Sequence, residues 1–188
     1  MNMNYCAIDF ETATAKRDSA CSVALIEVEA GKIVKEHYTL LQPPGNIYSY
    51  RNIQIHGIRP QDTKNAPTFA RLWPQLRRLL EGRLVLAHNA PFDMGVIKGC
   101  IKSFDLEPVE FRQCCTVKMS RWAWPELENH RLGTVGKYLN IEFNHHNALD
   151  DALTCAKIPL YAARELGVQS FAELKARLGF PVIDFRCS

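Results

Sequence analysis

Two β-rich runs, CSVALIEV (21–28) and KIVKEHYTLL (32–41), are separated only by Glu29, Ala30 and Gly31. So short a connection folds the chain back beside itself, and the two strands pair as an antiparallel hairpin. The next apolar run, RLVLAHN (83–89), behaves differently. It passes with little loop into APFDMGVIKGCIKSF, where Phe92, Val96, Ile97 and Ile101 recur on one helical face. This is a β-then-α unit. With a first strand at YCAIDFET (5–12), an early hairpin followed by β-α alternation predicts an α/β fold, a mixed central sheet flanked by helices.

Between these units, Pro43, Pro44 and Gly45 mark a loop, and His56-Gly57-Ile58 with Pro60 reads as a structured turn. From Pro67 to Leu80 the spacing of Phe69, Leu72, Trp73, Leu76, Leu79 and Leu80 fits an amphipathic helix closed by Gly82. Pro74 requires that helix to start near Arg71 or to bend. A strand over 111–117, helices over 118–124 and 132–139, a long helix over about 147–166 and a short one over 171–178 complete the reading. No repeat or Gly/Ser-rich linker divides the chain, and 188 residues at 47% hydrophobic can bury one substantial core. One domain over 1–188 is expected.

No apolar run reaches membrane-spanning length, and the N-terminal MNMNY has neither a basic region nor an apolar signal stretch, so a cytoplasmic location and no membrane partner are expected. The seven cysteines include no C-x-x-C pair, and the adjacent Cys114 and Cys115 would face opposite ways on a strand; they read as packing residues, not zinc ligands. A net charge of +3, spread along the chain, is weak evidence for a nucleic-acid partner.

The informative residues are acids. On a strand, Asp9 and Glu11 point to one face and Phe10 to the other. An isolated D-x-E is most often a pair of solvated acids at a strand end, but two more acids change the balance. Asp93 falls in the first turn of the helix after RLVLAHN, and Asp151 in the first or second turn of the long helix; either position alone would suit a negative charge because of the unpaired backbone N–H groups there. Four carboxylates around one point repel unless a cation sits among them, and such oxygen-rich sites suit Mg²⁺ or Mn²⁺. Two such ions about 3.5–4 Å apart clamp an in-line displacement at phosphorus. The attacking water needs a base, and His145 and His146 stand just before the helix that carries Asp151.

These residues resemble the DEDDh-type (DnaQ-like) 3′–5′ exonucleases, the family that includes the proofreading subunit of bacterial DNA polymerase III. The likeness runs from about Tyr5 to Tyr161, leaving 162–188 as a helical extension. IDFET, HNAPFD and HNALDD stand where the family has its three ordered motifs. The resemblance implies a ribonuclease-H-like fold, two divalent cations held by Asp9, Glu11, Asp93 and Asp151, and His146 as general base. His145 and Asp150 share the spacing of His146 and Asp151, but only the second register puts the small Ala148 two residues after the histidine, where the helix can pack closely on the sheet. HGI (56–58) is similar to a segment lining the family's nucleotide site, so His56 is a candidate substrate contact, with Thr12 beside the first motif and Phe10 and Phe92 as residues that could stack on bases. The family's Thr-Gly after the first-motif glutamate is replaced by Thr12, Ala13 and Thr14, which changes the local loop.

The activity implied is hydrolysis of nucleic acid from a free 3′ end to nucleoside 5′-monophosphates. DNA, single-stranded, is the favoured substrate on resemblance alone; RNA trimming or oligoribonucleotide degradation is the alternative, because no residue here reads a 2′-hydroxyl. A catalytically idle nucleic-acid-binding module is a further rival, disfavoured by retention of all five polar positions. Nothing supports a stable polymerase association.

Overall fold

The computed structural model describes residues 1–142 and 146–187. In chain order the elements are β1 (Tyr5–Thr12), β2 (Ala20–Glu29), β3 (Lys32–Leu40), α1 (Tyr50–His56), α2 (Pro60–Thr63), α3 (Phe69–Leu80), β4 (Leu84–Ala87) and α4 (Pro91–Ser103). There follow β5 (Glu110–Cys115), α5 (Thr116–Ala123), α6 (Leu132–Tyr138), α7 (Ala148–Glu165), α8 (Phe171–Leu178) and β6 (Val182–Arg186).

The six strands form one sheet in the order β3-β2-β1-β4-β5-β6. The hairpin expected from the first apolar runs makes β2 antiparallel to both β1 and β3, whereas β4 lies parallel to β1 and to β5. β1 therefore joins the antiparallel strands β2 and β3 to the parallel strands β4 and β5, and β6 closes the far edge antiparallel to β5. Side-chain alternation along it sets up two cores: Tyr5 and Ala7 face a cluster containing Trp124, Val135 and α7, while Cys6, Ile8 and Phe10 face one containing Trp73, Leu80 and Ile97 of α3 and α4. Asp9 and Glu11 continue the first row. They thus emerge on the α7 side of the sheet, where Tyr5 Oη donates to the Ala156 carbonyl at 2.6 Å and fixes the helix against the strand.

Several local expectations change. Residues 50–63, expected as loop and structured turn, contain α1 and α2; Ser49 caps α1 by accepting from the Asn52 N–H, and Gly57 closes it with φ 76°. α3 begins at Phe69 and runs through Pro74 because Phe69, Trp73, Leu76 and Leu80 are buried on one face, which outweighs one missing hydrogen bond. β5 stops at Cys115 and α5 starts two residues earlier than expected. The edge strand β6 was not expected. All seven cysteines are free thiols, five of them buried. Among the described residues no helix is long and apolar enough to cross a membrane.

Candidate active site

The four acids arrive from three directions. Asp9 and Glu11 project from the end of β1. Asp93, in the first turn of α4, is 1% exposed and accepts the Phe10 backbone N–H at Oδ1, 3.0 Å, so the second motif is tied to the first. Asp151 enters from the first turn of α7, whose cap Asn147 accepts the N–H groups of Leu149 and Asp150. Ala148 is buried in the sheet-facing core.

His146 adopts φ 67° and donates its backbone N–H to Asp151 Oδ2 at 3.0 Å. One ring nitrogen of His146 and one carboxylate oxygen each of Glu11 and Asp151 lie within 4.8 Å of one another, a spacing at which they could share an ion. His145, the other candidate histidine, lies outside the described residues.

Burial is the main reason Asp9, Glu11 and Asp93 resist ionisation, and repulsion among the acids adds to it. Glu11 is pushed up to about 8 by burial and then by Asp151 and Asp93. Asp9 is held well above the ordinary carboxylate range by burial and by Asp93, Asp151 and Glu11. Asp93 also rises to about 8 through burial, although the N–H groups of Phe10 and of Asp93 itself, and the Arg17 charge, oppose the shift. No lysine or arginine offsets Asp9 or Glu11 among the described residues. A hard, oxygen-seeking divalent cation is the charge that this donor set fits.

The acids open into a cleft of about 640 Å³. Thr12 is 6% exposed, and its carbonyl accepts from Asn52 Nδ2 at 2.6 Å and from His56 Nε2 at 3.2 Å. Because Nε2 of His56 donates there, Nδ1 is the acceptor for the Ile58 N–H at 3.0 Å. Both ring nitrogens are engaged, and burial lowers the pKa of His56, so the ring stays neutral and offers its surface to the cleft. Phe10 corrects the expectation of base stacking: its side chain is 2% exposed and packs with Phe69 at 6.2 Å between centroids, so its part in the site is the N–H given to Asp93. Phe92 is only half-buried and does border the cleft.

The loop that replaces the family's Thr-Gly docks along α4. Arg17 lies over the Phe92 ring, 4.5 Å from its centroid, and donates to the Phe92 carbonyl at 3.4 Å. It can do so because Gly95 and Gly99 leave room: a Cβ on Gly99 would stand 2.7 Å from the Arg17 Cβ and 3.1 Å from its carbonyl carbon. The far wall of the cleft, bearing Arg121, Asn129, His130 and Arg131, was not anticipated from the sequence, since these residues belong to no spaced motif.

A mixed sheet of this order, with carboxylates clustered at the end of β1, is a ribonuclease-H-like fold. Solved structures share the fold: Exonuclease X in complex with 5′ overhanging duplex DNA aligns at TM-score 0.70 and 23% identity, over 90% of this chain and 98% of that one. E. coli Exonuclease I in complex with an oligonucleotide aligns at 0.73 and 15%, over 92% and 42%. A 3′-exonuclease described in 3′-end specific recognition of histone mRNA stem-loop aligns at 0.72 and 16%, over 88% and 83%.

The chain belongs to the exonuclease family described as RNase_T, whose profile matches residues 6–159. Curated relatives include the PolC-type DNA polymerase III of Clostridium perfringens, 28% identical over 86% of this chain, and that of Bacillus cereus, 31% identical over 78%. The chain spans 11% and 10% of their respective lengths.

Proposed function

We propose that the protein is a metal-dependent 3′–5′ exonuclease that removes nucleoside 5′-monophosphates from single-stranded DNA. The observation that carries this reading is the meeting of Glu11, His146 and Asp151 within 4.8 Å, with Asp93 close enough to repel Glu11 and Asp9 close enough to be repelled by Asp93, Asp151 and Glu11. Asp9, Glu11, Asp93 and Asp151 would hold two ions, Mg²⁺ or Mn²⁺, which when bound supply positive charge to the attacking and leaving oxygens. His146 takes the proton of the attacking water; its exposed position lets that proton pass on to solvent. Phe92, backed by Arg17, presents an aromatic surface to the terminal base, a contact worth about 1–3 kcal/mol. The preference for DNA is supported by the DNA polymerase III relatives and by Exonuclease X with its duplex.

The test presents single-stranded DNA, double-stranded DNA and single-stranded RNA of one sequence, 5′-labelled, with Mg²⁺, Mn²⁺ or EDTA. A metal-dependent ladder shortening from the 3′ end, strongest on single-stranded DNA and absent in Asp151→Asn, is expected. Faster shortening of RNA would move the protein to the RNA-trimming alternative, and intact substrate in every lane despite binding would mark an idle module.

A further inference from the structure

We infer that Arg121 and Arg131 form a second phosphate subsite, which grips an internucleotide phosphodiester upstream of the scissile one and makes the substrate a strand of several nucleotides, not a dinucleotide. The inference rests on the exonuclease reading and deepens it. Both arginines are exposed and line the cleft that holds Asp9, Glu11, Asp93 and Asp151. They supply its cationic wall, on elements quite separate from those bearing the acids. Neither enters an ion pair among the described residues.

Three acids of the neighbouring segments make hydrogen bonds of their own. Glu126 accepts from Tyr138 Oη at 3.2 Å, Glu128 from Asn129 Nδ2 at 3.2 Å, and Glu165 from Trp124 Nε1 at 2.6 Å. None of the three forms an ion pair with Arg121 or Arg131 among the described residues, so the guanidinium groups are available to an anion in the cleft.

The segment is also held in place before any substrate arrives. His88, from the second motif, pairs through Nε2 with the His130 carbonyl at 2.9 Å and through Nδ1 with Thr116 Oγ1 at 2.9 Å. A carbonyl only accepts, so Nε2 is the donor. Ser120 Oγ donates to the Val117 carbonyl at 3.0 Å and therefore accepts from His130 Nδ1 at 3.2 Å, which pins the His130 ring to α5. Asn129 Oδ1 accepts the Arg131 N–H at 3.1 Å and the Thr134 hydroxyl at 2.7 Å, fixing Arg131 at the start of α6. The same motif that places Asp93 thus anchors the loop carrying Arg131, so the acidic floor and the cationic wall keep a set separation. A fixed cation at a fixed distance from the reacting centre selects a phosphate one or more linkages away, because the linkage at the centre already faces the acids.

The experiment compares wild type, Arg121→Ala/Arg131→Ala and Arg121→Lys/Arg131→Lys on 5′-hydroxyl thymidine dinucleotide, whose one phosphodiester is scissile, and on the thymidine hexanucleotide. Products are resolved by chromatography with Mg²⁺ at several salt concentrations. The alanine pair is expected to lower kcat/KM on the hexanucleotide by about tenfold or more, mainly through KM, and to collapse the preference for hexanucleotide over dinucleotide. Its hexanucleotide KM should rise less steeply with salt than that of wild type, because fewer counterions are released. The lysine pair, which keeps the charge, should recover most of the preference. An alanine pair with the wild-type ratio of the two substrates, whether both rates persist or both fall together, would overturn the subsite. Wild type inert on both lengths would overturn the DNA exonuclease reading and this proposal with it.

Discussion

Loading the acidic cluster with a divalent cation should expel protons, and the number can be worked out from the site. Burial and neighbouring carboxylates hold Glu11 and Asp93 up at about 8 in the cation-free protein, with Asp9 raised as well. At pH 7 a group with a pKa near 8 keeps its proton about nine-tenths of the time. Cation binding must remove those protons, so the fully loaded site at pH 7 releases roughly two from Glu11 and Asp93 together, before Asp9 is counted. The overall binding constant should therefore climb by at least about a hundredfold per pH unit below pH 7, with the share from Glu11 and Asp93 levelling off above about pH 8. Calorimetric titration of Mn²⁺ into chelator-treated protein, repeated in buffers of different ionisation enthalpy, counts the protons directly. Release of fewer than about half a proton in total, or an affinity flat between about pH 6 and 8, would refute the reasoning. The sign for stability follows from the same groups. These carboxyls hold protons in the folded chain at pH values where the unfolded chain has lost them. Their contribution to the cation-free fold is therefore complete below the ordinary carboxylate pKa and declines as the pH rises through about 8.

His146→Ala should lose about 10²–10⁴-fold in kcat while His145→Ala stays close to wild type in the same 3′-end assay, and the reverse ranking would select the other register. Asp151→Asn should abolish hydrolysis yet keep the wild-type circular dichroism spectrum. Gly99→Ala should lower the melting temperature by a few degrees, because an overpacking cost of about 1–3 kcal/mol against the Arg17 backbone exceeds the helix-propensity gain of about 1 kcal/mol. Gly95→Ala meets only the far part of the Arg17 side chain, Nε at 3.3 Å, Cδ at 3.4 Å and Cζ at 3.6 Å, which can give way, so there the propensity gain should win and the melting temperature should rise.

The elements legible in the sequence are those whose burial follows a simple period. β2 is buried at every position but its last, and α3 shows its buried face despite Pro74. α1 has no buried residue, so it carries no apolar period; its signals are the capping Ser49 and the closing Gly57. β6 buries Phe185 alone, stacked at 4.3 Å on Phe111, which is too little pattern to mark a strand without its neighbour. In the site, the acids were legible because each stands at a strand or helix end in a short motif. Arg121 and Arg131 were not, because α5 and the loop before α6 are brought to the cleft by tertiary contacts such as His88 to His130.

The sheet ends on β3 and β6, and both borders are poor templates for a further strand. β3 carries Lys32, Lys35, Glu36 and His37 along its length, while β6 is five residues long and bears Asp184 and Arg186 as an exposed ion pair at 3.7 Å. A visiting chain seeking to extend the ladder would have to desolvate charge on either side. The catalytic machinery is thus housed in a sheet that resists growing, so crowding or high concentration should not turn neighbouring copies into a shared β-ribbon.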